Sequence, residues 1–291
     1  MIYRDFRLWC PAVAIALLMW AALNPQIKVQ KDTYNLMIVI DITQSMNAQD
    51  YHVDNQPADR LSFVKAALKE VLAELPCDSK IGLGLFSTKN IFLLFEPLEL
   101  CAHYAAIDES LAKIDWRMAW AADSHIARGI YTSLSDIQKL ESKPGLVFFT
   151  DGQQTPKSAK EPFFQMEAGK TPGLIVGTGN LESVPVPRLD NQNQQIGFWQ
   201  ISEAEGRRRA NTDITGNYLT AVQEPYLQRL AVITGLSYHH LEDADKLLSA
   251  LKASSLLQKQ PVNYPFAWML AAVSLLLLLT PFAVNRLAQK P

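Results

Sequence analysis

The chain has 291 residues, 48% hydrophobic and 19% charged, which allows one sizeable domain with segments to spare. A formal net charge of -2 offers no global electrostatic basis for binding nucleic acid. The single basic run, Arg207-Arg208-Arg209, lies in a polar stretch and reads as a solvated loop.

At the N-terminus, Leu8 to Leu23 is apolar throughout and follows Arg4 and Arg7. Its length of about 16 residues is slightly short of the roughly 20 needed to span a bilayer, and a signal-peptide core has a similar look. No small-x-small cleavage pair follows, because the chain continues Trp20-Ala21-Ala22-Leu23-Asn24. Residues 1–24 are therefore expected to be an uncleaved membrane anchor. Asn35 to Asp41 is an apolar run ending in Asp, the pattern of a buried parallel strand. Ser62 to Leu75 carries Phe63, Ala66, Ala67, Val71 and Leu75 at helical spacing. Strands are expected at Ile81 to Phe86 and Ile91 to Phe95. The short Ser87-Thr88-Lys89-Asn90 link makes these two an antiparallel hairpin. Helical patterns follow at Tyr104 to Ile114 and His125 to Leu140. Then comes a second buried strand that ends in Asp, Gly145 to Gly152. Gly173 to Gly177, a helix over Pro225 to Thr234 and an edge strand over Ser237 to His240 complete a domain placed at 33–245. Within it, about 184–217 is Pro-, Asn- and Gln-rich and reads as a long loop or small subdomain. Phe266 to Val284 has about 19 uncharged residues, including Leu275 to Leu279, and predicts a C-terminal transmembrane helix over 265–285. Two spans would put both termini on one side. Arg4, Arg7, Arg286 and Lys290 are balanced by Lys28, Lys31, Lys252 and Lys259, so charge does not orient them.

Alternating strands and helices predict an α/β fold with a mostly parallel sheet, one antiparallel edge strand and helices on both faces. Sites in such sheets form at the carboxyl ends of strands. Two of the best strands here end in Asp41 and Asp151. Just past the first, Asp41, Thr43 and Ser45 alternate, so a tight turn can aim three oxygens at one point. Carboxylate and hydroxyl oxygens are hard ligands suited to Mg²⁺, with Ca²⁺ or Mn²⁺ as alternatives, rather than to zinc. The competing reading is an Asp that merely caps a turn.

Asp41-x-Thr43-x-Ser45 resembles the metal-ion-dependent adhesion site of von Willebrand factor A domains, usually Asp-x-Ser-x-Ser. The resemblance implies a Rossmann-like domain. It also implies a third loop, matched by Thr150-Asp151-Gly152, and a second loop, matched by Ser124-His125-Ile126-Ala127-Arg128-Gly129. Asp151 would then take the Asp role. Ser124 would take the Thr role in a loop that departs from the family's Thr-Ala-x-Gly-x-Ala. The likeness covers about Pro25 to Leu241. Leu23-Asn24-Pro25-Gln26, Asp59-Arg60-Leu61 and Ala231-Val232-Ile233-Thr234-Gly235 make it similar to the bacterial branch that accompanies MoxR-class AAA+ ATPases. That branch includes the aerotolerance-type (Bat) proteins and the accessory proteins of methanol oxidation, the latter closest in size and anchor. The resemblance implies a non-enzymatic factor in the bacterial inner membrane with its domain in the periplasm. It would grip a partner carboxylate through the cation and assist assembly of a client, such as calcium insertion into methanol dehydrogenase.

A phosphohydrolase of the haloacid-dehalogenase kind also places an Asp after its first strand. It needs Asp-x-Asp-x-Thr, and Thr43 stands where the proton-transfer acid belongs. No Gly-x-Ser-x-Gly occurs, and His52, His103, His125, His239 and His240 lack zinc-like spacing. A metal-free membrane scaffold is the other alternative. Trp116 and Trp120 flank the second loop and suit core packing or an interface anchor. Cys77 and Cys101 are equidistant from a hairpin centre near Lys89, so they are either a disulfide of an oxidising compartment or two unpaired thiols. Cys10 lies in the first apolar segment.

Overall fold

The computed structural model describes residues 2–121, 123–155, 161–204 and 216–288. Arg207-Arg208-Arg209 lies outside them. Two units divide the chain, 33–258 and the paired ends 1–32 with 259–291.

The elements follow in chain order, after helix α1 (Ile2–Ala22). Strand β1 (Gln26–Asp41) leads through a 3-10 turn, Gln44–Asn47, to a small hairpin, β2 (Tyr51–Val53) and β3 (Gln56–Ala58). Helix α2 (Arg60–Glu74), β4 (Lys80–Ser87), β5 (Asn90–Glu99), α3 (Leu100–Ala112), α4 (Ile126–Ile137), β6 (Gly145–Thr150) and β7 (Gly173–Gly177) come next. The polar stretch then forms β8 (Val184–Pro185), β9 (Pro187–Leu189), β10 (Gln195–Phe198), the short α5 (Ile201–Ala204) and β11 (Leu219–Thr220). Helix α6 (Glu224–Thr234), β12 (Ser237–His240), α7 (Ala244–Ala253), β13 (Leu257–Pro265) and α8 (Ala267–Ala288) complete the chain.

The main sheet has the order β12-β7-β6-β1-β4-β5, with β13 also pairing β1. The β1–β4, β1–β6, β6–β7 and β7–β12 pairs are parallel, and β5 is antiparallel to β4. This is the expected mostly parallel sheet with one antiparallel edge strand. Because side chains alternate across a strand, β1 feeds two cores at once. Leu36, Ile38 and Ile40 enter the core covered by α2, α3 and α7, whereas Met37 and Val39 enter the one covered by α4 and α6. Val147 and Phe149 divide from Leu146 and Phe148 in the same way on β6. Helices therefore cover both faces.

Helix α4 buries Ile126, Ile130, Leu134 and Ile137, spaced three or four residues apart along one face. Each such side chain contributes about 1.5–3 kcal/mol on burial. Gly129 lets this helix approach the sheet, since a Cβ there would lie 2.2 Å from Cε2 of Phe86. Asp59 starts α2 by accepting a hydrogen bond from the Ser62 N–H at 2.8 Å. Gly235 ends α6 in the left-handed region, φ 74°.

In the smaller unit both expected apolar segments are helical. Among the described residues, however, no helix is long and apolar enough to cross a membrane. The expectation of two spans is corrected on this point. After the charged start of α1, Leu8 to Ala22 leaves about 15 residues, roughly 22 Å of helix against a hydrocarbon core of about 30 Å. Cys10 and Ala14 of α1 and Ser274 of α8 are buried, while Trp9, Met19, Leu275 and Leu276 face outward. Trp20 meets Phe266 edge-on, with ring centroids 6.1 Å apart.

Candidate metal centre

β1 ends on a fully buried aspartate, Asp41, and the loop after β6 begins with another, Asp151. Past β1, the Asp41 side chain folds back on its own loop. Its Oδ1 accepts from the Thr43 N–H at 2.9 Å and from the Thr43 hydroxyl at 2.7 Å. Its Oδ2 accepts from the Thr150 hydroxyl at 2.7 Å. The Thr43 and Ser45 hydroxyls are 3.4 Å apart. The predicted alternation thus converges, with Asp41, Thr43 and Ser45 joined in one hydrogen-bonded set.

Ser124 arrives from the turn before α4. That turn is bridged to the β6 loop, with the Ser124 N–H donating to the Thr155 carbonyl at 2.8 Å and the Thr155 N–H donating back at 2.9 Å. The His125 N–H donates to the Thr88 carbonyl at 2.6 Å, tying the same turn to the β4–β5 hairpin. Among the described residues, the buried Ser124 hydroxyl has no hydrogen-bond partner. It lines a cavity of about 80 Å³ together with Thr43 and Ser45. Val186, Trp199, Glu203 and Tyr218, from the polar stretch and its end, close the other side of that cavity.

Asp151 has a different set of partners. Its Oδ2 accepts from Arg60 Nη1 at 2.7 Å and from the Thr220 hydroxyl at 3.1 Å. Its Oδ1 accepts from the Gln153 N–H at 2.8 Å. Arg60 is fully buried and also pairs with Asp50, Nη2 to Oδ2 at 2.7 Å. Burial pushes the Asp41 carboxyl up to about 7, and the nearby Asp151 charge adds to that rise. Hydrogen bonds from Thr150 and Thr43 oppose it. A carboxylate in such surroundings gains most from a compensating positive charge.

These observations test a hard divalent cation against the residues present, and they fit it. Among the described residues, an unpartnered buried hydroxyl shares a cavity with two further hydroxyls, and the buried Asp41 carboxyl, hydrogen-bonded to one of them, has no cationic partner. Among the described residues, no group of three or more His, Cys, Asp or Glu could hold a metal, so a cation held here would draw much of its shell from hydroxyls. Sequence reasoning missed Arg60, Asp50, Thr150 and Thr220. Thr150 adjoins Asp151 and could have been suspected; Thr220 has no local signal.

The other singled-out residues lie elsewhere. Trp116 packs against the core and donates its indole N–H to Asn193 at 3.0 Å, whereas Trp120 is 55% exposed. His240 approaches Glu224 at 3.2 Å. Cys77 and Cys101 form a disulfide with Cα atoms 5.3 Å apart, and Cys10 is free and buried.

Comparison with known proteins places this geometry. The von Willebrand factor type A domain profile matches residues 36–154, which span the β1 loop, the Ser124 turn and the β6 loop. An aerotolerance-related membrane protein from Bacteroides fragilis, carrying multiple mutations to serine, superposes with a TM-score of 0.53 at 16% identity. That likeness covers 76% of this chain and 97% of the other. The conserved hypothetical protein BatB from Bacteroides thetaiotaomicron gives 0.55 at 18% identity, covering 76% and 96%. A search of curated proteins returns no match. The chain carries a von Willebrand A-type α/β fold, with the matched region holding the β1, Ser124 and β6 loops.

Proposed function

We propose that this protein is a non-enzymatic interaction module that uses one divalent cation, Mg²⁺ first and Ca²⁺ or Mn²⁺ as alternatives, to grip a carboxylate of a partner protein. Asp41, Thr43, Ser45, Ser124 and Asp151 would surround the cation. The observation that carries the reading is the buried Ser124 hydroxyl, unpartnered among the described residues, sharing a cavity with Thr43 and Ser45. When bound, the cation supplies a positive charge for an incoming acidic group. Thr43 and Ser45 orient their hydroxyls, and the walls formed by Val186, Trp199 and Tyr218 limit access by water. The haloacid-dehalogenase alternative has no support at the acid/base position, because Thr43 is there and donates to Asp41.

Membrane association belongs to the same reading. It is supported by the outward apolar side chains of α1 and α8, and by likeness to a protein described as a membrane protein. The Cys77–Cys101 disulfide favours an oxidising compartment and hence a periplasmic domain. Service to a MoxR-class ATPase and to a client such as methanol dehydrogenase is the narrower form, tested by co-purification with each.

Calorimetric titration with Mg²⁺ and Ca²⁺ tests the cation. The wild type should bind, and Asp41→Ala should lose binding while keeping its circular dichroism spectrum. Absence of binding in the folded wild type would favour the metal-free scaffold.

A further inference from the structure

Resting on the cation reading above, we propose that Glu203 is an internal carboxylate for the cation, so that the polar stretch occupies the site itself and a partner's acid must displace it.

The polar stretch is folded against the cavity. Strands β8 and β11 pair as its stem, Val184 with Thr220 and Pro185 with Leu219. Beyond the stem, three segments are knitted through their backbones. The Val186 N–H donates to the Tyr218 carbonyl at 3.0 Å, the Trp199 N–H to the Val186 carbonyl at 3.0 Å and the Tyr218 N–H to the Trp199 carbonyl at 2.7 Å. Those three residues and Glu203 share the cavity with the hydroxyls of the candidate centre.

Among the described residues that line the cavity, Glu203 carries the only charged side chain. It is therefore the one group there whose charge complements a divalent cation. Its present partners are exchangeable. Oε1 accepts from Arg188 Nη1 at 3.0 Å, and Oε2 accepts from the Gln200 N–H at 3.1 Å. The Arg188 and Glu203 side chains are 44% and 39% exposed, and an ion pair so open to water is weakly held. Each carboxylate oxygen also keeps a second lone-pair direction for another partner.

The far end of the stretch is fastened in the same exchangeable way. Trp116 donates its indole N–H to Asn193 at 3.0 Å, and Arg117 Nη1 donates to the Asn191 carbonyl at 2.7 Å. Both bonds are exposed, so water replaces them readily when they open. Glu203 thus acts as a tethered ligand with a high effective concentration at the cavity. A free small acid competes poorly with it, whereas a protein partner brings further contacts along with its carboxylate. The stretch would in this way restrict the site to macromolecular partners.

The full chain, titrated with Mg²⁺ by calorimetry, gives the first test. Glu203→Gln should weaken binding about tenfold, because the charge of the ligands sets affinity. Glu182→Gln removes an exposed acid that does not line the cavity, and it should bind like the wild type. With bound Mn²⁺ in place of Mg²⁺, relaxation of acetate methyl protons reads the access of a free carboxylate. It should rise about tenfold from the wild type to Glu203→Gln. The wild type alone supplies a reading that needs no variant: Mg²⁺ should slow hydrogen exchange at the Trp199 and Tyr218 amides. Equal Mg²⁺ affinity in Glu203→Gln and wild type, equal acetate relaxation in the two, or unchanged exchange at saturating Mg²⁺ would each overturn the proposal and leave the cation reading standing. A folded wild type that binds no Mg²⁺ would overturn the cation reading instead.

Discussion

The two ends of the sheet are stabilised in different ways. At the carboxyl ends of β1 and β6, buried charge is balanced by buried charge, with Arg60 between Asp50 and Asp151 and with Asp41 left to hydroxyls. At the amino ends, a covalent bond and hydrogen bonds to backbone take that place. The Cys77–Cys101 disulfide ties the start of β4 to the start of α3, Glu99 caps α3, and Asn35 Nδ2 donates to the Ser142 carbonyl at 2.6 Å. The base is a staple, and the rim is an electrostatic arrangement that has not been fully neutralised. Such an arrangement is poor at raising stability but suited to receiving an ion.

Four experiments would break or sharpen this contrast. The largest effect is expected at the rim: Arg60→Ala strands Asp50 and Asp151 and should cost about 3–5 kcal/mol in urea unfolding. A loss below about 1 kcal/mol would mean that the rim charges are not mutually dependent. At the base, reducing the disulfide opens a link across 24 positions and should cost about 3 kcal/mol, seen as a lower Tm in reductant. Mg²⁺ binding should survive that treatment as long as the domain is folded. Thr150→Val removes a donor from buried Asp41 and should cost about 2 kcal/mol without added cation. The smallest effect belongs to Glu99. Burial is the largest single influence and opposes its ionisation, but the N–H groups of Ala102, Asp78 and Cys101 together prevail and hold its carboxyl below the usual range. Its contribution is present above the unfolded value of about 4.3 and fades as pH falls through the lower folded value. Glu99→Gln should therefore cost about 1 kcal/mol near neutrality and flatten the acid side of a stability-versus-pH curve.

Much of the fold could be read from the sequence, because long apolar runs announce strands buried on both faces. Asn35 to Asp41 and Gly145 to Thr150 did so, and the link after Ser87 gave the antiparallel edge. Helix α7 had no such signal, since only Leu247 and Leu251 of its ten residues are buried. The short strands of the polar stretch, two to four residues each, carry too few side chains for a period to show. At the site, local spacing exposed Asp41, Thr43 and Ser45. Arg60 was visible as part of Asp59-Arg60-Leu61 but not as a buried cation. Its partners lie 10, 91 and 160 positions away, and nothing in a linear string ranks one arginine's burial above another's. The apolar ends were read as spans from composition. Among the described residues no helix is both long and apolar enough to cross a membrane, and that combination is what corrected them.

Gly129 touches no candidate ligand, yet the height at which Ser124 stands follows from it. The helix that begins beside Ser124 rests on the ring of Phe86 at this glycine, where even one added carbon finds no space. Oxygen ligands sit about 0.3–0.5 Å farther from Ca²⁺ than from Mg²⁺. Any side chain at position 129 would have to lift the start of α4, and Ser124 with it, off Phe86, a displacement of the kind that would separate a Ca²⁺ shell from a Mg²⁺ shell.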